Sequence, residues 1–223
     1  MLVRINATNH ASVVDAELVA LAGDRVFCSE FRYRGGVEIF GEGEGAEYVY
    51  HIISGAVRTY KLLSDGRRQI NAFHLPGDMF GFENGSVYRF TAEAIIDTEV
   101  RMTGRRSLLD TMARRVVGTT NLLGLVTRNL QHAESHMLLL GRKTSREKVA
   151  AFLLEMDERL DHPNVMILPM SRRDIADYLG LTLETVSRAL SILRDEKMLL
   201  FDGPTQRRVV LLDRKGLSKF DTN

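Results

Sequence analysis

The sequence predicts an α+β fold in three parts: an N-terminal β-sheet domain, a long helix and a C-terminal winged helix-turn-helix. Three features predict this fold. Residues 26–103 hold short β-type runs broken by glycine turns, residues 108–140 carry an apolar heptad pattern, and residues 171–212 hold two amphipathic helical stretches followed by two short apolar runs. We therefore place the domains at residues 1–107, 108–141 and 142–223.

Composition narrows the class of protein. Hydrophobic residues make up 44% and charged residues 26% of the 223 positions, which is typical of a globular protein with a buried core. The net charge of +1 argues against a protein that coats nucleic acid regardless of sequence. The single cysteine, Cys28, excludes an internal disulfide and a metal site built from several thiolates of one chain. No apolar run reaches the ~20 residues of a membrane span, and the N-terminus has no signal-peptide core, so we expect a cytoplasmic protein with no membrane partner.

The N-terminal domain is predicted from runs rich in β-branched and aromatic residues. The clearest runs are Glu47–Ile53, Ala56–Leu63 and Arg67–Leu75. The turns that separate or follow them are Ser54-Gly55, Ser64-Asp65-Gly66 and Pro76-Gly77-Asp78. Short strands joined by such tight turns predict a β-sandwich or barrel of about 80 residues.

The long helix carries an apolar seam. Val116, Leu123, Leu130 and Met137 recur at intervals of seven residues, and a second series follows each of them by three. A seam of this length predicts a helix that pairs with its own copy in a parallel dimer. The predicted dimerisation residues are Val116, Leu123, Val126, Leu130 and Met137. The alternative is an amphipathic helix that lies on its own domain.

Residues 171–193 predict two helices joined by a tight turn. Ser171, followed three residues later by Asp174, is typical of a helix N-cap, and Gly180 suits a left-handed C-cap. Thr182 can cap the second helix, and the small side chain of Ala176 lets the two helices cross closely. This combination predicts a DNA-binding helix-turn-helix, and the alternative is a plain αα-hairpin.

The exposed face of the second helix predicts how DNA is read. An arginine there can donate two hydrogen bonds to guanine, and a glutamate can accept one from cytosine. The predicted base-reading residues are Leu183, Glu184, Ser187 and Arg188, and the predicted phosphate contacts are Ser171, Arg172, Thr182, Thr185 and Arg207. Two further runs, Met198–Leu200 and Arg207–Leu212, flank a turn that contains Pro204 and predict a wing.

The chain resembles the CRP/FNR superfamily of bacterial transcription regulators over nearly its whole length. The resemblance rests on IISGAV, SDGRRQI and LPGDMFGFE in the N-terminal domain and on LTLETVSRALSILRDEKML in the helix-turn-helix. ETVSR is similar to the FNR branch, and GRKTSREKVAAFLLEM and FHLPGDMFGFENG are most similar to the FixK-type subgroup. The resemblance implies that the N-terminal domain is a double-stranded β-helix (β-roll) of the cyclic-nucleotide-binding type.

The resemblance also implies a function. It implies a homodimeric regulator, mainly an activator, that reads a palindrome with TTGA-like half-sites and recruits RNA polymerase. Its genes would be those of nitrogen fixation and microaerobic respiration. The resemblance places Glu184, Ser187 and Arg188 at the bases of each half-site. The surface turn Asp161–Asn164 and loops of the β-roll are candidate surfaces for RNA polymerase.

Departures from the family predict what the chain does not sense. Oxygen-sensing FNR proteins hold an iron–sulfur cluster through several cysteines, and Cys28 alone cannot hold one. Cyclic-nucleotide binders carry Phe-Gly-Glu and then Arg-Ser/Thr-Ala, whereas here Phe82 precedes the glutamate and Phe90 separates the arginine from the threonine. We therefore expect no cofactor and no small-molecule effector; the alternative is the same fold gated by a cyclic nucleotide or haem. Control by the level of the protein or by its modification is then expected, and a negative or oxidised group at Ser171 should repel a DNA phosphate.

Two hypotheses concern metal chemistry. His132 and His136 are four residues apart on the predicted helix, a spacing that can chelate a metal, but exposed polar positions beside the seam explain them more simply. A cupin-like metalloenzyme needs a His-x-His pair or a matched carboxylate in its strands, and the predicted strands have neither. We therefore predict no metal site and no enzyme activity.

Overall fold

The computed structural model describes residues 3–6, 28–113, 116–142, 144–203 and 206–220; for residues 3–6, 116–122, 125 and 142 it describes the backbone alone. The chain forms two compact units, Met1–Gln131 and His132–Asn223. The first unit is rich in strands, and the second combines helices with a small sheet, which confirms the predicted α+β class.

The strands described in the first unit form two antiparallel sheets. One sheet has the order β1-β2-β9-β4-β7, and the other has the order β3-β8-β5-β6. The strands are β1 (Val3–Asn6), β2 (Cys28–Tyr33), β3 (Glu38–Phe40), β4 (Tyr48–Ser54), β5 (Val57–Leu62), β6 (Arg68–His74), β7 (Met79–Phe80), β8 (Thr91–Ala94) and β9 (Thr98–Gly104). Buried residues of both sheets belong to one hydrophobic cluster, as expected for a β-sandwich or β-roll.

Aromatic rings fill the centre of this unit. The ring of Phe40 stacks on that of Tyr88 with 3.6 Å between centroids, and the ring of Tyr50 stacks on that of Phe80 at 5.1 Å. Each of the four side chains is buried. Rings packed this closely fill the interior of the unit and hold one another in place by direct contact.

The predicted glycine turns are confirmed in the first unit. Gly55, Gly66 and Gly77 have φ values of 94°, 81° and 93°, in the region that favours glycine. At Gly55 a Cβ would lie 2.4 Å from Oγ1 of Thr98, so a side chain would also collide with the neighbouring strand.

The helical segment predicted at residues 108–140 is described as two helices. Helix α1 spans Arg105–Ala113, and helix α2 spans Val116–Arg142. The division between the two units falls inside α2, after Gln131, rather than at the predicted boundaries after residues 107 and 141. The physical reason is that the last part of α2 contacts other residues of the second unit, His132 with Glu155 and His136 with the carbonyl of Tyr178.

The second unit contains the predicted helix-turn-helix and wing. Helix α3 spans Ser145–Arg159, and Thr144 caps it in a capping box with Glu147. The other elements are β10 (Met166–Ile167), α4 (Arg172–Leu179), α5 (Leu183–Asp195), β11 (Leu199–Phe201), β12 (Arg208–Leu211) and α6 (Arg214–Ser218). The small sheet has the order β10-β12-β11, so the wing is the hairpin β11–β12. Pro204 of its predicted turn lies outside the described residues.

Candidate nucleic-acid interface

Side-chain and glycine caps fix the helix-turn-helix. Oγ of Ser171 accepts a hydrogen bond from the backbone N of Asp174 at 3.2 Å, and the Asp174 carboxylate accepts one from the backbone N of Ser171 at 2.9 Å. Gly180 ends α4 with a φ of 62°, and Oγ1 of Thr182 accepts from the backbone N of Thr185 at 3.2 Å. The caps predicted at Ser171, Gly180 and Thr182 are therefore confirmed.

The inner faces of α4 and α5 are apolar and buried. In α4 the buried apolar face includes Ile175, Ala176, Tyr178 and Leu179, and in α5 it is Val186, Ala189, Leu190 and Leu193. The carbonyl of Ala176 accepts from the backbone N of Leu181 at 2.9 Å, which closes the turn between the helices. Because one face of α5 is buried, its opposite face is presented to solvent.

The predicted base-reading residues lie on the solvent side of α5. Glu184 and Arg188 are exposed, and Leu183 and Ser187 are half-buried. The pKa of Glu184 is lowered by hydrogen bonds with its own backbone and with Thr182, and further by two nearby arginines. Its carboxylate is therefore an ionised acceptor at neutral pH, and Arg188 offers donors one helical turn away.

Several predicted contacts meet in one groove between the helix-turn-helix and the wing. The groove is lined by Ser171, Arg172, Leu183 and Arg207, joined by Arg173 and Gln206. Thr182 and Thr185 lie at the start of α5, where their hydroxyl oxygens are 3.0 Å apart. The structure therefore brings residues of three separate segments of the chain to one basic edge.

Two of the predicted phosphate contacts also hold the wing. Nη2 of Arg172 donates to Oε1 of Gln206, and the Arg172 guanidinium lies 5.4 Å from the centre of the Phe201 ring. Nη1 of Arg207 donates to the carbonyl of Pro169 at 3.4 Å. Both arginines thus join the wing to the rest of the second unit, a role that sequence reasoning missed because it depends on partners distant in the chain. Their contact with phosphate stays a prediction.

The predicted dimerisation residues are exposed along α2. Leu123, Val126 and Leu130 are 66%, 53% and 57% exposed in the first unit, and Met137 is 67% exposed in the second. Val116 lies in α2, but its side chain is outside the described part of the chain. A series of large exposed apolar side chains is typical of an interaction surface, and its pairing with a second copy stays a prediction.

The prediction that His132 and His136 are exposed polar positions is wrong. Both are half-buried in the second unit. Nε2 of His132 lies 2.9 Å from Oε1 of Glu155, and Nε2 of His136 lies 2.9 Å from the carbonyl oxygen of Tyr178. Helical spacing places the two histidines on one side of α2, but it does not show which other helices face that side.

The residues that correspond to a cyclic-nucleotide phosphate cassette make contacts within the chain. The Glu83 carboxylate accepts from the backbone N of Arg89 at 3.1 Å and from its Nε at 2.6 Å. Oγ1 of Thr91 accepts from the backbone N of Glu42 at 3.0 Å. These contacts engage the Glu83 carboxylate and the Thr91 hydroxyl oxygen within the chain. That the chain takes no cyclic nucleotide stays a prediction.

Two further findings limit the chemistry of the described residues. Within the described ranges, no group of three or more His, Cys, Asp and Glu side chains is arranged to hold a metal ion. None of the helices in the described part of the chain is both long enough and apolar enough to cross a bilayer.

Two family models match the chain. A Crp-like helix-turn-helix domain matches residues 147–220, and a cyclic nucleotide-binding domain matches residues 30–115. The first covers the elements that build the interface, and the second covers most of the described β-sheet domain.

Individual relatives extend the similarity. The nitrogen fixation regulation protein FixK of Azorhizobium caulinodans is 45% identical over 190 residues, which cover 83% of this chain and 76% of that protein. The transcriptional activatory protein AadR of Rhodopseudomonas palustris is 43% identical over 76% of this chain and 72% of that protein. The solved structure of FixK2 from Bradyrhizobium japonicum has a TM-score of 0.84 and 58% identity, and the match covers 88% of this chain and 98% of that one. These relatives are regulators rather than enzymes, and the chain belongs with them to the CRP/FNR family of DNA-binding transcription regulators, in its FixK-type subgroup.

Proposed function

We propose that the chain acts in the cytoplasm as a homodimeric activator that binds a TTGA-type palindrome without a small-molecule effector. The observation that carries the proposal is the solvent face of α5, where Glu184 and Arg188 are both exposed. In a TTGA half-site, one G·C pair offers two acceptors on guanine and one donor on cytosine in the major groove. Arg188 suits the guanine, and Glu184 suits the cytosine of the same pair.

A dimer explains why the site would be a palindrome. Covering the apolar stripe of α2 with the same stripe of a second copy gives a two-fold axis along the helix pair. Two recognition helices related by that axis read two half-sites in opposite orientation, about 34 Å apart. The exposure of Leu123, Val126, Leu130 and Met137 supports this arrangement.

Binding without an effector is supported by side-chain contacts in the first unit. The stacked rings of Phe40 and Tyr88 occupy the centre of the β-sheet domain, and Glu83 is held by Arg89. The Glu83 carboxylate is thus already engaged by the backbone N and the Nε of Arg89. The second candidate is the same fold gated by a cyclic nucleotide, which the match to a cyclic nucleotide-binding domain favours.

The turn Asp161–Asn164 is a candidate contact for RNA polymerase. Asp161 and His162 have φ values of 58° and 50°, a left-handed conformation that few residues adopt. The buried Asp157 carboxylate accepts from Arg214 at 2.7 and 2.9 Å and lies 2.7 Å from Nδ1 of His162. The turn therefore has a fixed shape at the surface, as a recognition surface for a protein partner requires.

The gene class follows from the relatives. The proteins of Azorhizobium caulinodans and Rhizobium meliloti that match this chain are named for regulation of nitrogen fixation. We extend that role to this chain and include genes of microaerobic respiration. RNA polymerase recruitment at such promoters is the expected means of activation.

The experiment compares three DNA duplexes with purified protein free of nucleotide and metal. One duplex carries the full palindrome, one carries a single half-site, and one has both half-sites scrambled. Fluorescence anisotropy should show tight binding to the palindrome, much weaker binding to the half-site, and no change on addition of cyclic AMP. Binding that appears only with cyclic AMP would favour the second candidate, and equal binding to all three duplexes would contradict sequence-specific reading.

A further inference from the structure

The C-terminal end of α4 is held by side chains from two other helices. Nε2 of His136, in α2, lies 2.9 Å from the carbonyl oxygen of Tyr178. Nζ of Lys148, in α3, donates to the carbonyl of Leu179 at 3.4 Å and to the carbonyl of Leu140 at 3.1 Å. The carbonyls in the last turn of a helix have no partner within the helix, so these side chains satisfy acceptors that are otherwise open. All of these residues belong to the second unit.

Ring stacking adds an angular constraint to the hydrogen bond. The His136 and Tyr178 rings are 4.0 Å apart and inclined by 6°. Tyr178 is 1% exposed, and its hydroxyl donates to Oε2 of Glu155 at 3.3 Å. The other carboxylate oxygen of Glu155 lies 2.9 Å from Nε2 of His132. The end of α2 is therefore fixed to α4 both in distance and in orientation.

We propose that His136 is a positioning residue for DNA binding. By holding the last part of α2, from His132 onward, against α4, it sets the orientation of the recognition helix α5, which packs on α4, relative to that part of α2. The inference rests on the proposed homodimer, because this orientation decides the spacing of two recognition helices only in a dimer. A small change in it would move both helices away from half-sites about 34 Å apart.

The titratable and charged groups around His136 give its contact with α4 a defined pH dependence. Glu155 and Lys148 of α3, Tyr178 of α4 and His132 of α2 face it. Burial lowers the pKa of His136, so its ring is neutral at pH 7 and donates through Nε2–H to the carbonyl. A histidine that is released from this contact into solvent takes up a proton near pH 6.5, whereas His136 in contact with α4 takes one up only at a lower pH. The state in which His136 is bonded to the end of α4 is therefore fully favoured above about pH 6.5 and loses stability as the pH falls below that value.

Two substitutions separate positioning from general stability. His136→Gln keeps an N–H donor near the position of Nε2 but cannot titrate, and His136→Ala removes the donor and the ring. With the TTGA palindrome at pH 7.5, we expect His136→Ala to bind about five- to tenfold more weakly, as for the loss of one hydrogen bond and its packing. His136→Gln should bind nearly as tightly as the parent chain. The parent chain should lose affinity as the pH falls below about 6.5, whereas His136→Gln should not. His162→Gln, a histidine of the same unit in the surface turn, serves as the control and should keep the parent profile.

Several results would overturn the inference. Equal affinity and equal pH profiles for the parent chain and His136→Ala would do so, provided that circular dichroism and sedimentation show a folded dimer. If His136→Ala does not fold, the Gln variant decides, and a pH profile identical to that of the parent chain overturns the inference. If the parent chain itself fails to bind the palindrome at every pH, the proposed function fails, and the inference fails with it.

Discussion

Replacing Leu130 with glutamate tests the dimer seam on α2. Leu130 is 57% exposed, and full burial of a leucine side chain contributes about 1.5–3 kcal/mol. Covering a little over half of its surface therefore contributes about 1–2 kcal/mol for each subunit, or about 2–4 kcal/mol for each dimer. Because 1.4 kcal/mol corresponds to a factor of ten, Leu130→Glu should raise the dimer Kd by about 30- to 700-fold. Glutamate is a good helix former, so the change acts on the interface rather than on the helix.

Sedimentation equilibrium over a range of protein concentrations measures this change. The matched control is Leu62→Glu, because Leu62 is 68% exposed at the end of β5 and lies outside the predicted seam. We expect the control to remain dimeric and Leu130→Glu to dissociate. A Leu130→Glu protein that is as dimeric as the control would refute the assignment of α2 to the dimer interface.

Three further predictions concern the second unit. Ser171→Asp should weaken DNA binding at least tenfold in a mobility-shift assay, because it places a negative charge beside Asp174 and the basic groove. Ser171→Asn, which provides a neutral cap, should bind nearly as tightly as the parent chain. Gly180→Ala should lower the free energy of unfolding in urea by about 1–2 kcal/mol, because the φ of 62° is unfavourable with a Cβ, and an unchanged midpoint would contradict the left-handed cap. The Asp157 pKa is lowered first by hydrogen bonds from Arg214, so the stability from this pair is present above about pH 4 and lost as the pH falls further. Urea unfolding between pH 3 and 7 should show a shallower dependence for Arg214→Gln, and parallel curves would argue against the pair.

Elements fixed by nearby residues could be predicted closely from the sequence. The caps at Ser171 and Gly180 depend on hydrogen bonds and backbone angles within a few residues. The glycine turns of the first unit are local in the same sense. Such features follow from the chemistry of short segments, because no distant partner is needed to define them.

Features that depend on distant partners could not be predicted. Strand β10 exists because Met166 pairs with Val209 on the wing, and two residues alone give no strand signal. The partners of His132 and His136 lie on α3 and α4, so helical spacing left the two histidines without an assigned role. Likewise, the sequence shows Phe82 as an insertion, but only the folded chain shows that Glu83 is held by Arg89.

A double-mutant cycle between Arg188 and the G·C pair of the half-site tests the central claim most directly. The cycle measures DNA affinity for the parent chain and Arg188→Ala on the TTGA palindrome and on a palindrome with that pair changed to A·T. If the exposed Arg188 reads the guanine, each single change should cost about 1–3 kcal/mol per half-site, and the second change should add little once the first is made. Additive losses would contradict the account, because they would mean that Arg188 and the G·C pair act independently.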